Sequence, residues 1–493
     1  MKFLLTILSL VVFSFSIFAQ NNVPQDYLTS EFHKSRREAL REQMPKNSVA
    51  VFFANPERNR SNDVNYVYHQ DPNFYYLTGY KEPNAVLVIF SENQTNSEGQ
   101  TFNEILYVNK RDAKEEQWTG YRLGVEGAKQ KLGFDMAFNG EVFLNSGIDY
   151  STYNKVLFEP FKNDYRDSEK NNADISDLIQ SFKSQLQVKE IVVESNESIH
   201  SDIKRKTILK SKKAELDNES LPKLMAGLRQ IKTQEEMKLL VKAVRISTAA
   251  QNEVMKAMHP GMSESEIQGI HEYVYKIYGS EYEGYPSIVG AGNNGCVLHY
   301  EENSKVKVDN DLVLMDLGAE YHGYTADVTR TIPANGKFTP EQKAIYDLVY
   351  NAQEAGINAA IIGNTTKTTH EIAKAIIYKG LIDLGIAKDD DDAEQYFPHG
   401  TSHHIGLDVH DANLRGEFEP NMVITVEPGI YIPQGSPCDK KWWGIAVRIE
   451  DDVLITENGP VLLSHEAPRK SDEIEALMKE PSVLDNFKLP KLD

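Results

Sequence analysis

The chain has 493 residues, 40% hydrophobic and 26% charged, and carries a formal net charge of −20. That composition suits a globular protein with a sizeable core and excludes a disordered or fibrous chain. The acidic balance, with no long basic segment dominating, argues against nucleic acid as the main partner.

Residues 1–19 read as a signal peptide. Lys2 is followed by a charge-free run from Phe3 to Ala19 and then by polar Gln20-Asn21-Asn22. A charged start, an apolar stretch and a small final residue describe a secretory signal cut after Ala19, although Ile17-Phe18-Ala19 is an imperfect small-x-small site. The competing reading is an uncleaved anchor; no second basic flank follows to support it. The expectation is an exported chain, periplasmic or secreted, with no stable membrane anchor after signal removal. The cysteines, Cys296 and Cys438, are too few and too far apart for a disulfide framework.

Residues 20–220 form the first domain. An amphipathic helix is predicted over 28–43. Strand-like runs follow at Ser48–Ala54, Ala85–Phe90, Ile105–Val108 and Glu190–Glu194, with helical segments between them. This alternation predicts an α/β domain. From 196 to 220 apolar periodicity is lost and Lys204, Arg205, Lys206, Lys210, Lys212 and Lys213 accumulate. A solvated linker explains that cluster better than an anion site.

Residues 221–480 contain an internal repeat. Capping-box patterns open helical runs at Thr233-Gln234-Glu235-Glu236 and Ser263-Glu264-Ser265-Glu266. Strand-like stretches follow at Ser287–Gly290, Cys296–Tyr300, Leu312–Leu317 and Tyr324–Ile332. The scheme restarts at Thr339-Pro340-Glu341-Gln342, then Thr368-Thr369-His370-Glu371, with strands at Met422–Ile432 and Ile445–Thr456. Two α+β halves related by a pseudo-twofold would set their hairpins around a shared cleft. A short helix over Asp472–Lys479 precedes a tail at 481–493.

Carboxylates stand on those hairpins. If the first hairpin turns at Tyr321-His322, Asp316 faces Asp327, and two like charges that close call for a cation. Glu427 and Glu450 have their midpoint at Cys438-Asp439, so a long hairpin brings them together as well. Arg448 shares a strand face with Glu450. Four of the 13 histidines, His399, His403, His404 and His410, fall in twelve residues of a Gly-containing loop, and His299 is a fifth candidate. The segment Gly290–Gly295 fits G-x-G-x-x-G but is followed by a predicted strand, so the dinucleotide reading fails. His370-Glu371 and His271-Glu272 lack the second histidine of HExxH. The acidic run Asp389–Asp392 lacks the spacing of a calcium loop.

The ordered set Asp316, Asp327, His403, Glu427 and Glu450 resembles the five-ligand, two-metal site of the aminopeptidase P, prolidase and methionine aminopeptidase family of pita-bread metallopeptidases. The phrases that carry it include Met315-Asp316-Leu317-Gly318, Ala326-Asp327-Val328-Thr329-Arg330-Thr331, His399-Gly400-Thr401-Ser402-His403, Leu407-Asp408-Val409-His410-Asp411, Val426-Glu427-Pro428-Gly429 and Arg448-Ile449-Glu450-Asp451. The first domain is similar to aminopeptidase P through Phe32–Met44, Tyr66–Glu82 and Asp112–Gly124.

The resemblance implies a pita-bread catalytic domain holding two divalent ions, with Asp327 and Glu450 bridging. Asp316 would complete one ion, and His403 with Glu427 the other. The oxygen-rich donor set suits Mn²⁺. The resemblance further implies a hydroxide shared by the ions, Glu427 as proton acceptor, His399, His410 and His299 on the substrate side, and Arg448 as a positioning group. The implied substrates are peptides with proline at the second position, and the implied assembly is a homo-oligomer, dimer or tetramer. Prolidase, which cuts Xaa-Pro dipeptides, is the near alternative; a non-catalytic binding protein on this fold would lack the ligands. His404 takes a position often aromatic or glycine in relatives and is expected on a pocket wall.

Overall fold

The computed structural model describes residues 24–165, 167, 171–195, 204–211, 213–487 and 489. The predicted signal peptide lies outside the described residues.

The first domain is built on a mixed six-stranded sheet. Its strands are β1 (Ser48–Phe53), β2 (Val86–Thr95), β3 (Thr101–Val108), β4 (Ala137–Asn139), β5 (Lys155–Phe158) and, beyond a separate hairpin, Glu215–Asp217; the spatial order is Glu215–Asp217, β5, β1, β2, β3, β4. Alternation divides its faces. Ala50, Phe52, Leu87 and Ile89 pack into a core shared with helix α1 (Ser30–Gln43) and the second domain. Val49, Val51, Val86, Val88 and Phe90 pack against Leu178 and Phe182 of helix α2 (Ile175–Gln185). Burial on both faces is why these strands read as unbroken apolar runs.

The stretch expected to be a linker is partly strand. Lys204–Lys210 pairs antiparallel with Lys189–Ser195, and Glu215–Asp217 joins the edge of the sheet in parallel with β5. Backbone pairing to a neighbour overrode the missing apolar period. The aromatic segment Tyr66–Glu82 contains a short helix, Pro72–Thr78, whose Phe74, Tyr75, Tyr76 and Leu77 are buried. Most of its aromatics therefore serve the core.

In the second domain helix α3 (Ser220–Gln230) leads to α4 (Gln234–Ala257), which opens with a complete capping box between Thr233 and Glu236. Helix α5 (Glu264–Ile277) follows, capped by Ser263. The second half repeats the pair as α6 (Pro340–Asn358), with a capping box from Thr339 to Gln342, and α7 (Thr366–Asp383). The N-cap of α7 is Thr365 rather than Thr368, because Thr365 accepts from the Thr368 N–H and starts the helix three residues earlier.

The strands also differ from expectation in an informative way. Tyr324–Ile332 splits into Tyr324–Thr325 and Val328–Pro333; Met422–Ile432 splits into Val423–Val426 and Gly429–Ile432; Ile445–Thr456 splits into Ile445–Arg448 and Asp451–Thr456. The breaks fall at Asp327, Glu427 and Glu450, three of the expected ligands. Cys296–Tyr300 is not a strand: a 3-10 turn over Gly292–Cys296, with close backbone contact between Gly290 and Gly295, ends at Cys296 and the chain continues as irregular turn. The last helix runs over Ser471–Leu477.

Candidate active site

The first hairpin is held at one register throughout. Tyr321 pairs with Tyr324, Leu317 with Val328 and Asp316 with Thr329. The turn is therefore His322-Gly323, both with positive φ (51° and 91°), one residue beyond the expected centre. Asp316 consequently stands diagonal to Asp327 instead of opposite it. A two-residue shift preserves side-chain parity, so both carboxylates still reach the same face. Gly318 lies opposite Asp327, and a Cβ there would come within 1.8 Å of the Ala326 carbonyl oxygen and 2.9 Å of the Tyr285 ring. The hydroxyl of Tyr285 donates to Asp316 Oδ1 at 2.7 Å and lies 2.6 Å from Asp327 Oδ1, joining the two acids.

The second hairpin follows the expected register. Val426 pairs with Asp451 and Gly429 with Arg448, which sets Glu427 directly across from Glu450. Glu450 Oε2 accepts from Thr329 Oγ1 at 2.6 Å. Arg448 reaches across to the first half, donating to Asp316 Oδ2 at 2.5 Å and to the Tyr431 hydroxyl at 2.8 Å.

The histidine loop completes the ring. His403 Nε2 lies 3.5 Å from Asp327 Oδ2 and 3.6 Å from Glu427 Oε1, while its Nδ1 donates to the His404 carbonyl at 3.1 Å. That second contact fixes which ring nitrogen faces the acids. His399 donates from Nδ1 to the Gly400 carbonyl at 2.7 Å and accepts from Tyr431 at Nε2 at 2.8 Å. The His410 ring meets His403 edge-on at 4.4 Å. A cavity of about 370 Å³ is lined by Asp316, Asp327, His403, Glu427 and Glu450 together with His299, His399, His410 and Arg448.

Ionisation follows from burial and crowding. Burial pushes the Glu427 carboxyl up to about 7 and drives Glu450 well above the carboxylate range, with the neighbouring acids adding to the effect on Glu450. Asp316 is raised by burial against the pull of Arg448. Asp327 is also buried, but its contact with His403 outweighs the penalty and holds it low. For His403 burial is overcome by Asp327 and Glu427, which raise it to about 9. His399 is lowered to about 4 by burial and by the charge of Arg448.

Buried acids that resist ionising together are a donor set waiting for positive charge. Asp327, His403 and Glu450 each offer one ligand atom, all within 4.8 Å of one another. Four carboxylates and one imidazole fit hard divalent cations.

Several participants escaped the sequence reading. Tyr285, Tyr431 and Thr329 hold the acids and Arg448, and Asp452 Oδ2 accepts the Asp327 N–H at 3.1 Å. The alternation Asp327, Thr329, Thr331 along a buried strand was the available signal for Thr329. His404 is not on the cavity wall; it is buried and bridges to Ile424. A histidine adjacent to a ligand on an extended backbone points to the other side. His271 and His370 also lie outside the cavity, bonded to the Ile267 carbonyl and Thr401. Cys296 and Cys438 are free thiols.

Comparison with known proteins shows the family. Residues 238–457 match metallopeptidase family M24, and residues 33–146 match the aminopeptidase P N-terminal domain. The chain is 36% identical over 468 residues to the Xaa-Pro aminopeptidase of Escherichia coli, covering 91% of this chain and 97% of that one. It is 30% identical over 446 residues to human Xaa-Pro aminopeptidase 3, covering 88% and 81% respectively. The solved structure of E. coli aminopeptidase P with the inhibitor Pro-Leu superposes with a TM-score of 0.78 at 34% identity, covering 92% of this chain and 98% of that one. Aminopeptidase PepP of Pseudomonas aeruginosa gives a TM-score of 0.78 at 33% identity, with coverage of 92% and 98%. The chain belongs to the aminopeptidase P family of M24 metallopeptidases, with that family's N-terminal domain in front of a pita-bread catalytic domain.

Proposed function

We propose that this protein is an exported Xaa-Pro aminopeptidase, working with two divalent ions and cutting the N-terminal peptide bond that precedes proline. The observation that carries the reading is the convergence of Asp316, Asp327, His403, Glu427 and Glu450 on one open cavity, beside three histidines and Arg448. Those five residues would hold the ions, and the oxygen-rich set favours Mn²⁺. Bound divalent ions would supply an activated water near neutral pH and polarise the scissile carbonyl.

The chain's own groups account for the remaining chemistry. Glu427, ionised once it is a ligand, takes a proton from the attacking water and passes it toward the leaving nitrogen. Proline makes that nitrogen a tertiary amide without N–H, so recognition rests on the shape of the ring. Pro286, Ile288, Leu298 and Val409 supply apolar wall for it. His410 donates to the oxygen that gains charge, and His299 stands on the same wall. His399, neutral and tied to Tyr431, steadies the Arg448–Asp316 pair beside it.

Manganese-loaded protein is expected to hydrolyse Ala-Pro-Ala faster than Ala-Pro, and Ala-Ala-Ala slowly, because a pocket shaped for the ring loses packing without it. Cleavage of Ala-Pro but not Ala-Pro-Ala would replace this reading with prolidase. No cleavage of either would favour a binding protein. Export is checked by the N-terminus of the mature protein, expected at Gln20. Homo-oligomerisation, to dimer or tetramer, rests on the likeness of the first domain to its family, and light scattering measures it.

A further inference from the structure

A buried ionic triad of the second domain, bonded to Asn73 of the first, holds the loop that carries His410. Asp411 accepts from Arg229 Nη2 at Oδ1 and from Lys232 Nζ at Oδ2, the latter at 2.8 Å. All three side chains are buried, at 1–5% exposure. Arg229 also donates from Nη1 to Asn73 Oδ1 at 2.7 Å, and Asn73 donates from Nδ2 to Glu159 Oε1 at 2.5 Å. The bonds therefore run without a gap from the end of β5 through the Pro72–Thr78 helix and α3 to the catalytic loop.

That loop is held closely around Asp411. Its N–H donates to the His404 carbonyl at 2.9 Å, and Leu414 N–H donates to Gln230 Oε1 at 3.1 Å. A Cβ on Gly406 would sit 2.4 Å from Asp411 Oδ2 and 3.0 Å from Lys232 Cε. His410 lines the catalytic cavity, yet among the described residues nothing hydrogen-bonds its ring; its backbone N–H donates to Asp408 Oδ1 at 3.1 Å. The ring's place is thus set by the backbone, and the next residue is clamped by two cations.

Two buried cations on one carboxylate are a poor device for stability alone, since apolar side chains of similar volume commonly do as well. Their advantage is direction: two short charged bonds fix where a loop runs. We propose that Arg229, Lys232 and Asp411 are positioning residues that hold His410 over the acidic cluster, so that turnover depends on the contact between the two domains. This rests on the role given to His410 above.

The test is a double-mutant cycle with K232M and H410A in the metal-loaded, full-length mature protein. K232M leaves Arg229 and Asp411 as a neutral pair. It should lower kcat about tenfold with KM changed less than about twofold, as expected for a displaced reacting-site group. In the H410A background the same substitution should change kcat less than about twofold, and K232R should recover most of the activity. An equal loss in both backgrounds, or no loss in either, overturns the proposal. N73A, which cuts the bridge on the first-domain side, should give a smaller loss with the same dependence on His410, and it decides the matter if K232M does not fold. The NMR resonances of the His410 ring should also move in K232M and in N73A. That readout needs no substrate, so a protein inactive on every proline peptide would sink the functional assignment and leave the positioning role open to refutation by unmoved resonances.

Discussion

The two hairpins that carry the acids solve the same problem differently. In the second, Glu427 faces Glu450 squarely, with Val426↔Asp451 on one side and Gly429↔Arg448 on the other. In the first, the shorter aspartates stand on a diagonal, and a phenol and a guanidinium from elsewhere bind them. All four acids are buried, and the outcome depends on the partner: His403 holds Asp327 low, while Asp316 is raised by burial in spite of Arg448, Glu427 is pushed up to about 7 and Glu450 is driven well above the carboxylate range. The lesson is that a repeat preserves which face a ligand occupies while leaving register and protonation free to differ.

The largest effect should come from breaking the first hairpin alone. Gly318→Ala puts a methyl group into the Ala326 carbonyl, where backbone cannot give way, and is expected to abolish folding of the catalytic domain or lower Tm by more than about 10 °C. A melting curve near wild type would show that the hairpin is looser than its register implies.

Next is the proton-holding side. Glu427→Gln should keep the fold, by circular dichroism, and cut kcat by about a thousandfold or more, since it removes a metal ligand and a proton acceptor together. Near-normal turnover by metal-loaded Glu427→Gln would sink its assignment.

A third prediction concerns pH. In the metal-free protein burial pushes the Glu427 carboxyl up to about 7 and Glu450 well above the carboxylate range, the neighbouring acids raise His403 to about 9, and each must lose its proton to become a ligand. Metal affinity should therefore rise with pH from about 6 to 9, by about tenfold per unit for each proton displaced. The rise should be steeper below 7, where Glu427 is protonated as well as His403 and Glu450. Calorimetry in buffers of different ionisation enthalpy counts the released protons; affinity independent of pH would show that these groups are already ionised.

The smallest effect sharpens the first-half side. Tyr285→Phe removes the hydroxyl shared by Asp316 and Asp327 but not the ring, and should lower kcat about tenfold with little change in Tm. An unchanged kcat would mean that the bound ions alone arrange the two aspartates.

The repeat and the faces of the carboxylates were legible in the chain because each rests on local chemistry, and the family and its ordered ligands were legible through resemblance. Capping boxes at Thr233 and Thr339 mark helix starts through bonds spanning three residues. Alternation places Glu450 and Arg448 on one face. The helix start at Thr365 and the first hairpin's turn were misplaced by one to three residues. Thr365 and Thr368 are the same side chain, so local preference does not decide between them, whereas Gly323, which takes φ 91°, was a local signal for the His322-Gly323 turn that the midpoint of the two aspartates overrode.

What the sequence by itself determined is the order of the carboxylates and histidines, the faces they occupy, and the helices that frame them, since these follow from periods of 2 and 3.6 residues and from caps. Tertiary structure alone decided which strands break at the ligands, that Tyr285 and Tyr431 join the site, and that Asp411, the neighbour of His410, is tied to the first domain through Arg229 and Asn73. Those features depend on contacts between different elements, from 17 positions apart for Tyr431 and Arg448 to 182 for Arg229 and Asp411, and no period or cap in a single chain displays such a contact.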